Sequence, residues 1–263
     1  MTIQPGEKVA ICGRSGRFVL SRLPNPPCLI NKAHLYSGKS STILLLLRLL
    51  DPIVPLTPSL SSITIDSIPL SQIDRSTLRR RIIAVPQDAV FLPDGTSFRS
   101  NLDPFAASTD ADCRAVLEAV ELWAFVAERG GLEAGMVADS LSQGQKQLFS
   151  LARAMLRRRI RSLALAGGGG DEKGERVEGG GVLLLDEISS SVDVDTDRAM
   201  QGIIRREFAG WTIVMVSHRL DVVMAFDRVV VMDAGAVVEE GAPRELVEVE
   251  GSRFRDLWMV GKG

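Results

Sequence analysis

Apolar positions along the chain fall into two alternating patterns. Short runs rich in β-branched residues, at Lys8 to Cys12, Ser62 to Ile65, Ile82 to Val85, Val182 to Leu185 and Thr212 to Ser217, predict strands. Between them, apolar residues recur at helical spacing over Ser40 to Leu50, Asp112 to Arg129, Ser142 to Arg158 and Asp195 to Phe208. This alternation predicts an α/β fold around a mostly parallel sheet. Near the end, Arg228 to Met232 and Ala236 to Glu239 flank Asp233-Ala234-Gly235, which predicts a tight hairpin. The stretch from Gln87 to Ser142 has helical periodicity and no convincing strand. Residues 88–150 are therefore expected to form, approximately, a helical subdomain inserted into the sheet domain.

Two segments break the pattern. Residues 161–181 include AGGGGDEKGERVEGGG, too polar and Gly-rich to bury, and predict a flexible, solvated loop. Residues 17–36, which include Pro24-Asn25-Pro26-Pro27, interrupt a glycine-rich stretch between a predicted strand and a predicted helix.

Composition narrows the classes. The chain has 263 residues, 45% hydrophobic and 24% charged, enough for one large domain with a substantial core. With 31 basic and 33 acidic residues the net charge is −2, which gives no electrostatic footprint for nucleic acid. Cys12, Cys28 and Cys113 are too scattered for a disulfide framework or a zinc site. The strongest apolar run, Ile43 to Leu47, stops at Arg48, far short of the roughly 18 residues of a bilayer helix. MTIQPGEKVA lacks a signal-peptide pattern. The chain is expected neither to form a channel nor to act as a carrier by itself.

A phosphate-binding loop reads G-x-x-x-x-G-K-[ST] between a strand and a helix. Its backbone N–H groups wrap the phosphates, its lysine reaches the β/γ oxygens, and its hydroxyl holds Mg²⁺. Ser37-Gly38-Lys39-Ser40-Ser41 opens a Leu-rich helical run, as required, yet the motif's first position falls on Ala33. Without residues 17–36, strand Lys8 to Cys12 leads into Gly13-Arg14-Ser15-Gly16-Ser37-Gly38-Lys39-Ser40, a complete match. Three readings follow: two coincidental Gly-rich turns, an insertion that loops out while the cradle closes, or a translated in-frame intron. The intron is favoured, because the interruption separates N–H groups that must converge on one pyrophosphate and adds a loop-ordering cost.

Val182-Leu183-Leu184-Leu185-Asp186-Glu187 is an apolar strand ending in two acids. Beside a phosphate loop, the first would hold Mg²⁺ through water and the second would polarise the attacking water. Leu141-Ser142-Gln143-Gly144-Gln145 opens a helix whose free N–H groups and dipole make an anion site. An ordinary serine N-cap explains the same segment taken alone.

In this order the motifs resemble the nucleotide-binding domain of an ATP-binding cassette (ABC) transporter, over nearly the whole chain outside the two irregular segments. The elements are a split Walker A (Gly13, Arg14, Ser15, Gly16, Ser37, Gly38, Lys39, Ser40, Ser41), Q-loop Gln87, signature Leu141 to Gln145, Walker B with Asp186 and Glu187, a D-loop with Asp193, and switch His218. Phe91-Leu92-Pro93-Asp94-Gly95-Thr96 and Asn101-Leu102-Asp103-Pro104-Phe105 are similar to the second cassette of fungal C-subfamily exporters, the multidrug-resistance-associated-protein type. The resemblance implies a P-loop NTPase (RecA-like) core with the helical subdomain carrying the signature, and ATP and Mg²⁺ as ligands. It implies Glu187 as general base and His218 on the γ-phosphate, although a lone strand-end histidine is also an ordinary surface residue. Ser40, Gln87 and Asp186 would hold Mg²⁺. The partners implied are a second nucleotide-binding domain and transmembrane domains, with no nucleic acid. The location implied is the cytosolic face of a membrane, or the cytoplasm for the chain alone.

The sequence also departs from the family. Gln143 stands where glycine is usual in the signature, which implies a degenerate site for the partner's nucleotide. The chain begins just before Pro5-Gly6-Glu7, so residues 1–263 are expected to be one N-terminally truncated ABC ATPase domain, lacking the first strands and the adenine-stacking aromatic. The leading expectation is an ATP-hydrolysing cassette powering export, a fragment with impaired nucleotide binding as written. The alternatives are a non-hydrolysing regulatory or partner cassette and the inactive product of a mis-spliced gene. A chromosome-maintenance ATPase is disfavoured, because no sustained heptads separate Gln87 from Ser142.

Overall fold

The computed structural model describes residues 1–13, 39–50, 63–167 and 180–261. Along the chain the elements are β1 (Lys8–Cys12), α1 (Lys39–Leu46), β2 (Thr64–Ile65), β3 (Ile68–Pro69), α2 (Arg75–Arg81) and β4 (Ile82–Val85). Then come α3 (Phe98–Leu102), α4 (Asp110–Ala119), α5 (Trp123–Ala127), α6 (Gln143–Gly167), β5 (Val182–Asp186) and α7 (Val194–Glu207). The chain closes with β6 (Thr212–Val216), α8 (Leu220–Val223), β7 (Arg228–Asp233), β8 (Ala236–Gly241), α9 (Pro243–Glu248) and α10 (Arg253–Gly261).

Two compact units divide these elements: residues 1–2, 8–80 and 215–263 form the first, and residues 3–7 and 81–214 the second. In the first unit β1 runs parallel to β7, with Val9 opposite Arg228 and Cys12 opposite Val231. Strand β8 returns antiparallel on β7, with an irregularity between Val231 and Met232. Ala234 and Gly235 take φ +47° and +82° between these strands, the two positive values of a type I′ hairpin turn. Ala10, Cys12, Val229 and Val231 pack with Val223 of α8 and Phe254 of α10 as the core. Glu239 of β8 accepts from Ser252 Oγ (3.0 Å) and Phe254 N (2.8 Å) and so secures the start of α10.

In the second unit β4 and β5 pair in parallel, Ile82 opposite Val182 through Val85 opposite Leu185, with β6 next in order. Leu183, Leu184 and Leu185 are all buried, as parallel strands covered on both faces require. Phe149 of α6 anchors the helical part, its ring 5.7 Å from Phe91 and 6.5 Å from Phe98.

Several elements differ from the expectation. Helix α1 ends at Leu46 rather than Leu50, and Arg48 takes φ +51°, which no helix continues. The single helix expected over Asp112 to Arg129 is two, α4 and α5, separated where Glu121 adopts φ +60°. Thr109 starts α4 at Asp110, two residues earlier, through a reciprocal capping box with Asp112. Helix α6 runs to Gly167, so residues 161–167 of the expected 161–181 loop are helical, and the helical stretch outlasts the expected 88–150 boundary. Arg161, Ser162 and the Leu-Ala repeat that follows sustain helix until the glycine run begins. Arg161 also donates to Arg81 O (3.0 Å) and Gly180 O (2.8 Å) and lies over the Trp211 ring, which fixes that turn. The interruption at residues 17–36 and the rest of the glycine run lie outside the described residues.

Candidate nucleotide site

Of the split Walker A, Arg14, Ser15, Gly16, Ser37 and Gly38 lie outside the described residues. Its two flanks, Gly13 and Lys39, belong to the first unit, and they meet there. Lys39 opens α1 with only 1% of its surface exposed, and its Nζ donates to Gly13 O at 3.1 Å. Position 13 demands glycine, because at φ +149° a Cβ would lie 1.9 Å from Met232 O of β7. Burial pushes the Cys12 thiol up to about 12, with the Lys39 ammonium opposing and Glu239 reinforcing, so Cys12 stays protonated beside the lysine. Ser40 and Ser41 follow, half-buried in the first turn of α1.

His218 is in the same unit and exposed. Its preceding residue, Ser217, is buried, and Ser217 N donates to Ile11 O (3.1 Å) of the strand that leads into Gly13. Ser217 Oγ also accepts from Arg219 N at 3.0 Å. The histidine is thus pinned at its backbone on both sides while its imidazole faces outward.

The second unit holds the remaining candidates. Asp186 closes β5 and Glu187 follows, both half-buried. Glu187 takes φ +47°, in the left-handed region that a glutamate rarely adopts, and its carbonyl accepts from Ser190 N at 3.0 Å. Ser142 Oγ accepts from Gln145 N (3.2 Å), while Gln145 Oε1 accepts from Ser142 N (2.9 Å). The signature is therefore a reciprocal capping box as well as an anion-site candidate, and the two readings are compatible because the cap leaves other N-terminal amides of α6 available. Leu141 is buried beneath it.

Gly144 joins the signature to the D-loop: a Cβ there would lie 3.2 Å from Thr196 Cγ2. Asp193 caps α7, its Oδ1 accepting from Asp195 N (3.1 Å) and Thr196 N (2.9 Å) and its Oδ2 from Thr196 Oγ1 (2.7 Å). Those bonds, from the Thr196 amide and then its hydroxyl, hold the Asp193 carboxyl below the usual range. Gln87 O accepts from Gln147 Nε2 of α6. Gln87, the signature and Asp193 are thus linked through α6 and the start of α7.

Sequence reasoning passed over Gln147, Arg153 and Thr196, and named Asn101 only within the subfamily resemblance, with no role of its own. The signal for Arg153 was a charged residue inside the apolar run Phe149 to Leu156. For Mg²⁺, the Ser40 hydroxyl, the Gln87 amide oxygen and the Asp186 carboxylate are hard oxygen donors of the right class. Mg²⁺ takes one or two carboxylates plus phosphate oxygens, so a single aspartate at the end of β5 fits that demand.

Residues 37–161 match the ABC transporter family. The chain carries an ABC transporter nucleotide-binding domain. Members of the family bind ATP, and this cassette has fungal relatives across nearly its whole length. It is 58% identical over 262 residues to ABC-type transporter braE of Annulohypoxylon truncatum, covering 99% of this chain and 16% of that protein. ABC transporter FGM5 of Gibberella zeae is 52% identical over 261 residues, 99% of this chain and 15% of its own. ABC multidrug transporter B of Aspergillus fumigatus is 36% identical over 258 residues, 98% of this chain and 14% of its own. The cassette thus spans about a sixth of the length of these relatives. A solved bacterial Atm1-family ABC exporter with ATP bound matches its fold with a TM-score of 0.73 at 23% identity, over 99% of this chain and 38% of that one. This establishes the α/β P-loop NTPase fold. No helix among the described residues is long and apolar enough to cross a membrane.

Proposed function

We propose that this cassette binds and hydrolyses ATP to power export through an ABC transporter of the C-subfamily type, at the cytosolic face of a membrane. The observation that carries the reading is the buried Lys39 ammonium on Gly13 O, which joins the two flanks of the phosphate loop despite the intervening residues. Lys39 then serves the β/γ-phosphates, with the loop amides from Gly13 to Gly16 and Ser37 to Ser41. Glu187 acts as the general base on the attacking water, and His218 contacts the γ-phosphate. Ser40, Gln87 and Asp186 hold Mg²⁺, which when bound neutralises charge on the phosphate oxygens. The signature, Leu141 to Gln145, serves a nucleotide on a second cassette through the amides that its cap leaves available, and Gln143 makes that site degenerate. Exposed Val90 (71%) and Phe105 (78%) support docking of transmembrane domains on the second unit.

As written, the chain binds nucleotide weakly, because residues 17–36 separate the amides that must converge. The contact between Lys39 and Gly13 favours a second reading, in which the cradle closes around those residues. One titration separates the two. Deleting residues 17–36 raises ATP affinity at least tenfold if they impair the cradle, and equal affinities establish the closed cradle. Glu187→Gln is expected to retain ATP and lose turnover. Undiminished turnover in that variant overturns the catalytic assignment.

A further inference from the structure

Between Pro86 and Thr96 the second unit's backbone follows no helix or strand, so its polar groups need partners from elsewhere. Helix α6 supplies them. Arg153 Nε donates to Asn101 O (2.6 Å), Nη1 to Val90 O, and Nη2 reaches Asn101 Oδ1 at 3.4 Å. Its guanidinium lies 4.9 Å from the Phe91 ring centroid and 5.1 Å from that of Phe149. Asn101, itself buried, accepts from Leu92 N (2.9 Å) on Oδ1, and its amide donates to Thr96 O (3.3 Å) and Ser97 O (3.1 Å). One turn and a half earlier on α6, Gln147 holds Gln87 O. The carbonyls of residues 87 and 90 and the amide of residue 92 are thus all fixed, directly or through Asn101, to the helix whose first turn is the signature.

We propose that Arg153 is a positioning residue for hydrolysis: with Asn101 it clamps the segment leaving Gln87 onto α6, so that Gln87 and the signature move as one piece. The proposal rests on the catalytic reading above for its functional consequence, while the clamp itself needs no nucleotide. Burial, with Arg157 adding to it, lowers Arg153 to about 10, which leaves it charged at neutral pH. The fork geometry matters as much as the charge, since only guanidinium reaches Val90 O and both oxygens of Asn101 together.

The test is amide hydrogen exchange on the full chain without nucleotide, comparing Arg153→Met and Arg153→Lys with the parent. Methionine keeps an apolar stem between the two rings and removes every donor. The Leu92 amide is expected to exchange about tenfold faster in Arg153→Met and less so in Arg153→Lys, while Leu183 to Leu185 keep their protection. ATP turnover is expected to show kcat about tenfold lower in Arg153→Met with KM within about twofold. An unchanged Leu92 amide, or a uniform rise across the second unit, overturns the clamp; so does a change confined to KM. Should Arg153→Met not fold, Arg153→Lys carries the same comparison. Undiminished turnover in Glu187→Gln would refute the catalytic reading separately and leave the exchange result standing by itself.

Discussion

At the start of α6 the chain runs unbroken from Leu141 to Gln147, and its shape comes from a capping box and from side chains of the same unit, Thr196 and Gln87 among their partners. At the end of β1, Gly13 meets the first residue of α1, far along the chain, through the buried Lys39 ammonium that donates to the Gly13 carbonyl. Glycine serves both regions, but differently. Gly13 sits hard against the backbone of Met232, whereas Gly144 faces the side chain of Thr196, which can yield. A region built on local hydrogen bonds tolerates change in graded steps. One built on a single close approach does not.

The sharpest way to break the comparison is Gly13→Ala. Its Cβ must displace a β7 carbonyl, and a cost of about 3 kcal/mol is expected from overpacking and strain; the denaturant midpoint reads it. Next in size is Lys39→Met, which separates function from folding. Replacing a buried ammonium by an apolar group leaves stability within about 1 kcal/mol, while ATP affinity falls about tenfold to a hundredfold, measured by thermal denaturation and nucleotide titration. On the other side, Ser142→Ala removes the α6 cap and is expected to cost about 1 kcal/mol, with the Gln145 amide, which loses its acceptor, exchanging faster than the rest of the unit.

The smallest effect concerns Asp103, a buried carboxylate of the helical stretch. Burial raises its pKa, but the Ser108 hydroxyl and the amides of Ala107, Ser108 and Phe105 outweigh that and leave it below the usual carboxylate range. Since the folded value is depressed, Asp103 contributes stability at neutral pH that is lost as pH falls through that value. Asp103→Asn should flatten this acid limb of a stability–pH profile, and an unaltered limb would locate the effect elsewhere.

Sequence alone was informative where local rules decide. Strands β1 and β4 fall on the expected residues because their apolar runs are bounded by polar ones, and the Ala234-Gly235 turn follows from hairpin geometry. The signature's Ser142 and Gln145 carry their cap at a readable spacing. Helix α2 escaped notice because Leu78 is its one buried residue, too little for any periodicity. The break at Glu121 has no glycine or proline to announce it. Arg153 and Asn101 stand 52 positions apart, and nothing in either segment names the other as a partner. Their meeting is a product of packing around Phe149, visible only once α3 lies against α6.

The left-handed backbone at Glu187 has a consequence for breeding this protein in the laboratory. A glutamate held there forgoes roughly 1–2 kcal/mol that glycine would recover. A library screened only for survival on heating should therefore enrich glycine at residue 187. On the proposed role of Glu187, its hardiest members would then be the ones that leave ATP intact.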